Sequence, residues 1–110
     1  MNNAIRKQQV CILGSTGSIG TQALDVIEKY PERYEAYCLT ANTRVELLAE
    51  QARKFRPACV VIADESRYDQ LKSLLADQTD IKIYAGKEAL DQVVEASPID
   101  MVLTAMVGFA

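Results

Sequence analysis

Three glycines, spaced three residues apart, follow the first apolar run of the chain (residues 10–13) and precede a helical pattern. A glycine-rich loop between a strand and a helix is where an α/β protein binds a phosphate group. Gly14 allows a sharp turn off the strand, and Gly17 leaves room for a pyrophosphate to approach the backbone. Gly20 allows the helix to pack closely on the sheet. The spacing therefore predicts dinucleotide binding.

The loop also offers hydrogen-bond donors to an anion. Backbone amides at a helix N-terminus and the positive end of the helix dipole favour negative charge, and the hydroxyls of Thr16 and Ser18 add donors. The loop residues predicted to bind the cofactor are Gly14, Ser15, Thr16, Gly17, Ser18 and Ile19, and the amides of the last four are those presented to the anion. Thr21 follows Gly20 where a nucleoside triphosphatase loop has Lys, which disfavours that class. A tight turn that binds nothing is the alternative.

The residues after the second apolar run indicate which dinucleotide binds. An NAD site usually has an Asp or Glu about 20 residues after the glycine loop, where it binds the ribose hydroxyls. This chain instead has Ala41, Asn42, Thr43 and Arg44 there. Polar groups with a cation suit a 2′-phosphate, so the sequence favours NADPH over NADH. The alternative is that Asn42 and Thr43 only begin the next helix, while Arg44 is solvated.

Five strand-like runs alternate with four helical patterns. The predicted strands are residues 10–13, 34–39, 58–63, 81–85 and 100–105. The helices are expected to begin at Ile19, near Arg44 after a Thr43–Glu46 capping box, at Arg67 behind a Ser66 cap, and before Ala89. The residues of the first helix expected to face the sheet are Ile19, Ala23, Val26, Ile27 and Tyr30. Since this alternation requires crossover connections, the predicted fold is α/β, a Rossmann-like doubly wound parallel sheet with helices on both faces.

Composition excludes several classes of function. The chain has 110 residues, which suits one domain, and a net charge of −3 without blocks of one sign, which argues against a nucleic-acid partner. No apolar run is long enough to span a membrane, and no secretory signal is present, so a cytoplasmic location is expected. Because the chain has no His, Ser-His-Asp, Cys-His and common zinc sites are excluded within it.

Two groups of side chains that could suggest a metal site are interpreted otherwise. The three cysteines, Cys11, Cys38 and Cys59, fall in strand-like runs and are expected to be buried, reduced thiols. The acids Asp64, Glu65 and Asp69 are expected to be solvated residues at the start of a helix. No catalytic or metal-binding residue is predicted within the chain.

The loop and the segments after it resemble the family of 1-deoxy-D-xylulose 5-phosphate reductoisomerase. The resemblance lies in residues 12–20, in residues 24–27 followed by Pro31, in Pro57, and in residues 104–110, and it covers the whole chain. Many members have Gly-Lys-Asn after the second strand. This chain has Asn, Thr and Arg there, so its positive charge comes one position later.

The resemblance implies an NADPH enzyme of the methylerythritol phosphate route to isoprenoids. Such an enzyme rearranges 1-deoxy-D-xylulose 5-phosphate with a divalent metal, Mg²⁺ or Mn²⁺, and reduces the product with NADPH to 2-C-methyl-D-erythritol 4-phosphate. Residues 1–110 would be the N-terminal NADPH-binding domain of this longer, homodimeric enzyme, with the metal and substrate-phosphate sites beyond Ala110. Ala105 and Gly108 would lie near the nicotinamide. The chain alone would then be inactive.

Two other functions remain open. Another NADP-dependent dehydrogenase, such as a semialdehyde dehydrogenase, has a similar loop, and a catalytic Cys downstream of residue 110 would distinguish it. A nucleotide-sensing module without chemistry would form a complete domain. This chain instead ends just past a strand, and an exposed strand edge invites self-association.

Overall fold

The computed structural model describes residues 6–96 and 98–104, in which strands and helices alternate. The elements are β1 (Gln8–Leu13), α1 (Ser18–Lys29), β2 (Tyr34–Ala41), α2 (Val45–Phe55), β3 (Cys59–Ile62), α3 (Tyr68–Leu74), β4 (Lys82–Ala85), α4 (Lys87–Val94) and β5 (Met101–Thr104). A 3₁₀ turn, Glu65–Arg67, precedes α3. None of the helices in these ranges is long and apolar enough to cross a membrane.

The five strands found in the described residues form one parallel sheet in the order β4-β3-β2-β1-β5. From β1 to β4 the chain moves in one direction across the sheet, and it then returns to the far side of β1. Right-handed crossovers require the helices before this reversal to lie on one face and the helix after it on the other. The packing agrees, because α1, α2 and α3 share one core and α4 lies in a second. The predicted α/β fold with helices on both faces is therefore confirmed.

The larger core lies between the sheet and the first three helices. Ile12 of β1, Leu39 of β2 and Leu48 of α2 are fully buried in it. Burial of a side chain of this size stabilises the fold by about 1.5–3 kcal/mol. This core therefore fixes α2 against the carboxyl-terminal halves of β1 and β2, where the glycine loop begins.

The side of helix α1 that faces the core matches the predicted stripe only in part, at Ala23 and Ile27. Gly20, Leu24 and Ile27 are buried, one helical turn apart. The glycine lies against the backbone of the preceding loop, and this close approach directs the 20–24–27 side inward. The expectation that the whole predicted stripe faces the sheet is wrong for three exposed residues, Ile19, Val26 and Tyr30.

Two predicted helix caps are also wrong. Helix α2 begins at Val45 with Arg44 as its N-cap and forms no side-chain cap. The Val45 amide donates to the Thr43 carbonyl at 2.8 Å, so the helix begins one residue too late for the expected capping box. Helix α3 has Arg67 as its N-cap and no side-chain cap. Asp64, not Ser66, caps the 3₁₀ turn before it, and its Oδ1 accepts the Ser66 amide at 3.0 Å.

The three cysteines form a row across the second face of the sheet. Cys11 is paired in register with Cys38, and Cys38 with Cys59. All three are buried and free, which confirms the predicted thiols. A β-bulge beside Cys11 adds Tyr37 to β2, so that Tyr37 and Cys38 both pack into this face. The neighbouring thiols and burial raise the pKa of Cys38, which keeps it protonated at neutral pH.

Candidate functional site

The glycine loop lies at the carboxyl edge of the sheet, beside the point where the strand order reverses. The loop connects β1 to α1, and β1 lies between β2 and β5. Open α/β sheets bind ligands outside the carboxyl ends of their strands at such a point. The fold therefore brings two predicted segments, residues 14–19 and residues 41–44, to the ends of adjacent strands.

The turn requires glycine at two of its three glycine positions. Gly14 has a φ of +85°, in the left-handed region that favours glycine. A Cβ on Gly20 would lie 2.6 Å from the Ser15 Cα, so only glycine lets α1 begin this close to the loop. Gly17 has extended backbone angles, φ −81° and ψ 177°, which any residue adopts. The backbone therefore does not require glycine at position 17. The predicted reason for a glycine there remains the space that it leaves for a pyrophosphate.

The N-terminus of α1 presents donors without a competing negative charge in its first turn. The helix begins at Ser18 with Gly17 as its N-cap, and its first turn contains no acidic residue. The Thr21 amide donates to the Gly17 carbonyl at 2.8 Å, so the amides of residues 18–20 precede this first helical hydrogen bond. Ser18 and Ile19 are exposed. This arrangement is suited to an anion.

A buried polar network holds the loop from the protein side. The Ser15 amide donates to the Thr40 carbonyl at 2.8 Å, and the Gly14 amide donates to Thr40 Oγ1 at 3.0 Å. Ser15 Oγ donates to Gln51 Oε1 at 2.7 Å, and Gln51 Nε2 donates to the Ser15 carbonyl at 2.9 Å. These bonds tie the loop to the end of β2 and to α2. Ser15, predicted as a cofactor-binding residue, therefore directs both its hydroxyl and its amide into the protein.

Sequence reasoning did not identify Thr40 or Gln51. Both side chains are buried, with exposed fractions of 2% and 7%. The signal available for Gln51 is its position, because it lies one turn after Leu48 and next to Ala52 on the apolar side of α2. A glutamine buried there requires a polar partner. The pattern does not reveal that this partner is the glycine loop.

The segment after β2 continues along the same edge of the sheet. Ala41 ends β2 and is buried. The amides of Ala63 and Asp64 donate to the carbonyls of Ala41 and Asn42 at 2.8 and 3.0 Å, which fixes the segment to the end of β3. The exposed side chains are Asn42, Thr43 and Arg44. A cation and two polar side chains are thus available next to the loop.

The two remaining predicted contacts, Ala105 and Gly108, lie outside the described residues. Strand β5 ends at Thr104, which is paired in register with Leu13 at the end of β1. The described end of β5 therefore lies beside the start of the glycine loop.

The acids after β3 lie at the starts of the 3₁₀ turn and of α3. Hydrogen bonds from the hydroxyl and amide of Ser66 lower the pKa of Asp64, the cap of the 3₁₀ turn. Glu65 and Asp69 lie in the first turns of that element and of α3. Within residues 6–96 and 98–104, no three His, Cys, Asp or Glu side chains lie close enough together to hold a metal ion.

A cavity of about 380 Å³ lies away from the loop, at the amino-terminal ends of the strands. Its lining includes Cys59 and Lys82, the first residues of β3 and β4. In sheets of this topology the ligand site is at the opposite edge. Cavity size alone therefore does not locate the candidate site.

Comparisons with known proteins identify one family. A family model described as 1-deoxy-D-xylulose 5-phosphate reductoisomerase matches residues 10–110. The protein of that name from Bacteroides thetaiotaomicron is 67% identical over 105 residues, which are 96% of this chain and 27% of that protein. Its counterpart from Porphyromonas gingivalis is 51% identical over 104 residues, which are 94% of this chain and 27% of that protein.

Solved structures agree with this result. The reductoisomerase from Zymomonas mobilis, in complex with NADPH, has a TM-score of 0.87 and 38% identity, covering 94% of this chain and 27% of that one. A reductoisomerase in complex with NADPH, fosmidomycin and magnesium has a TM-score of 0.86 and 35% identity, covering 92% of this chain and 25% of that one. This chain thus spans about a quarter of the length of these relatives. With a match over residues 10–110, it belongs to the 1-deoxy-D-xylulose 5-phosphate reductoisomerase family.

Proposed function

We propose that this chain is the N-terminal NADPH-binding part of a 1-deoxy-D-xylulose 5-phosphate reductoisomerase. The observation that carries the proposal is the glycine loop at the switch point of the sheet, where Gly14 and Gly20 shape a turn that opens onto the N-terminus of α1. The family relation and the NADPH complexes of two relatives support it. The pyrophosphate would bind among the amides of residues 16–19, of which that of Gly17 also donates to the Gly14 carbonyl at 3.4 Å.

The phosphate-binding part of the proposal depends on backbone groups. Amides at the start of a helix that carry no internal hydrogen bond can donate to an anion without rearrangement. The hydroxyls of Thr16 and Ser18 would add donors. Ser15 would contribute by supporting the turn from inside, because its own polar groups bind Thr40 and Gln51.

The preference for NADPH over NADH is attributed to the end of β2. The segment from Ala41 to Arg44 contains no carboxylate to bind the ribose hydroxyls of NADH. A guanidinium at Arg44 and polar groups at Asn42 and Thr43 would receive the 2′-phosphate. Ala105 and Gly108 would contact the nicotinamide end of the cofactor.

The chain would contribute cofactor orientation to the reaction rather than the complete chemistry. When bound, NADPH supplies the hydride for the reduction. We propose that the divalent metal, Mg²⁺ or Mn²⁺, and 1-deoxy-D-xylulose 5-phosphate are held by other parts of a cytoplasmic, homodimeric enzyme. Rearrangement of the substrate needs such a metal centre, which cofactor-binding residues do not provide.

Isothermal titration of the purified chain with NADPH and with NADH tests the proposal. We expect NADPH to bind more tightly than NADH, and more weakly than it binds to the full-length enzyme, because contacts from the rest of the enzyme are lost. Equal affinity for the two cofactors would remove residues 42–44 from the site. No binding of either cofactor would contradict the proposal. In a parallel assay, we expect no NADPH consumption by the chain with substrate and Mg²⁺.

A further inference from the structure

Gln51 is a buried amide whose polar atoms are both directed at one residue of the glycine loop. Its Oε1 accepts from Ser15 Oγ at 2.7 Å, and its Nε2 donates to the Ser15 carbonyl at 2.9 Å. The side chain is 7% exposed and Ser15 is fully buried. A buried amide is costly unless it is hydrogen-bonded, so this two-point contact has one favourable geometry.

The contact with the Ser15 carbonyl determines the direction of a second group. The Ser15 carbonyl and the Thr16 N–H belong to the same peptide unit. That unit is trans, since no cis peptide occurs in the described residues. In a planar trans peptide the C=O and N–H point in opposite directions. When Gln51 holds the Ser15 carbonyl towards α2, it therefore turns the Thr16 N–H away from α2.

We propose that Gln51 is a positioning residue, which aims the Thr16 N–H at the cofactor pyrophosphate by fixing the Ser15–Thr16 peptide. The inference rests on the proposed function, because it assigns the aimed amide to the pyrophosphate. Gln51 itself touches no cofactor atom in this scheme. It orients a donor before the ligand binds. Less binding free energy is then lost in ordering the loop.

Two substitutions separate the parts of this contact. Gln51→Leu removes both hydrogen bonds and preserves an apolar environment. Gln51→Glu preserves the shape, but its ionised carboxylate cannot donate to the Ser15 carbonyl. The protonated acid can donate again. Gln70, an exposed residue of α3, provides matched controls as Gln70→Leu and Gln70→Glu.

The first test is titration of the folded variants with NADPH and NADH below their unfolding temperatures. We expect Gln51→Leu to weaken both cofactors by roughly tenfold, because one aligned donor to a charged group is lost, and to leave their affinity ratio unchanged. A change in the ratio would mean that Gln51 acts through the 2′-phosphate region. Wild-type affinity in folded Gln51→Leu would overturn the proposal.

The second test uses pH and NADP⁺, which tolerates mild acid. Position 51 is buried, and burial raises the pKa of a carboxyl group, so the side chain of Gln51→Glu should be protonated in mild acid. We therefore expect Gln51→Glu to bind more weakly than wild type at pH 8 and to approach the wild-type affinity at pH 5, each compared at the same pH. A purely structural role would lower stability without this pH-dependent rescue. A ratio to wild type that is the same at both pH values would contradict the proposed donation.

A third measurement is independent of cofactor binding. In ¹⁵N–¹H spectra of the free chain of Gln51→Leu, we expect the resonance of the Thr16 amide to shift and to broaden or split. In Gln70→Leu the same resonance should be unchanged. If wild type binds neither cofactor but the Thr16 amide responds, the proposed function fails while the positioning contact stands. An unchanged Thr16 amide in Gln51→Leu would overturn the positioning role.

Discussion

Gly20 lies against the backbone of Ser15, so closely that a Cβ on Gly20 would be 2.6 Å from the Ser15 Cα. In an ordinary helix, glycine to alanine adds roughly 1 kcal/mol of stability. Here we expect Gly20→Ala to destabilise the fold by about 1–2 kcal/mol, because the overlapping atoms are backbone and cannot move aside. Urea unfolding measures this change. Gln22→Ala, at an exposed position of the same helix, is the control and should not destabilise. A more stable Gly20→Ala variant would contradict the close packing.

Gly17 allows a clean test of the pyrophosphate assignment, since its backbone angles are accessible to any residue. We expect Gly17→Val to abolish NADPH binding, because the added side chain occupies the space of the pyrophosphate, while the helical circular dichroism is mostly retained. Titration and spectra are compared with those of Gln22→Val, a valine added elsewhere on α1. Retained NADPH binding by Gly17→Val would remove the pyrophosphate from this position.

Arg44 is the residue at which cofactor selectivity is most directly testable. Arg44→Glu reverses one charge at the N-cap of α2, where a negative charge suits the helix dipole, so the fold should not suffer. We expect NADPH affinity to fall by about tenfold with little change for NADH, since only the 2′-phosphate is affected. The control is Lys29→Glu, which makes the same charge change in the last turn of α1, at the end of the helix away from the glycine loop. An equal loss for both cofactors would argue against a 2′-phosphate contact.

The contacts of Asp100 predict how the free energy of unfolding depends on pH. Arg6 donates to both of its carboxylate oxygens, at 2.9 and 2.6 Å, and the Gln9 amide donates to Oδ2 at 2.7 Å. These hydrogen bonds, that of Arg6 first, lower the pKa of Asp100. A carboxyl group with a lowered folded-state pKa stabilises the fold above its unfolded pKa of about 3.9, and that stability is lost as the pH falls through the folded value.

The matching measurement compares wild type with Asp100→Asn in urea between pH 7 and about pH 2, a range that brackets the unfolded carboxyl pKa. Wild type should be the more stable protein at neutral pH, and the difference should shrink through the acid range. Asp91→Asn, at an exposed position of α4, controls for the loss of one charge. A difference that is constant with pH would show that the carboxylate charge of Asp100 does not contribute.

The sequence predicted the parts of the fold that depend on local pattern. The βα alternation and the placement of the glycine loop follow from apolar periodicity and from Gly14 and Gly20, and the structure has both. The Thr43 cap was wrong because a backbone hydrogen bond, from Val45 to Thr43, competes with a side-chain cap. The Ser66 cap was wrong because the side chain of Asp64 caps the 3₁₀ turn that precedes α3. The Gln51 contact was missed for a different reason. It joins residues 36 positions apart, and only the packed fold reveals such a contact.

Strand β1 pairs with β2 on one side and with β5 on the other. The stretch of chain between the paired strands is much longer for β5 than for β2. Val10 lies opposite both Ala36 and Met101. Closing a longer segment costs more chain entropy, and contacts that are distant in sequence form slowly. We therefore expect the hydrogen-bonded pairing of β1 with β5 to form last during folding and to open first in native-state hydrogen exchange. Because the glycine loop begins beside these paired strands, a newly made chain would acquire the proposed cofactor cleft only when folding is nearly finished.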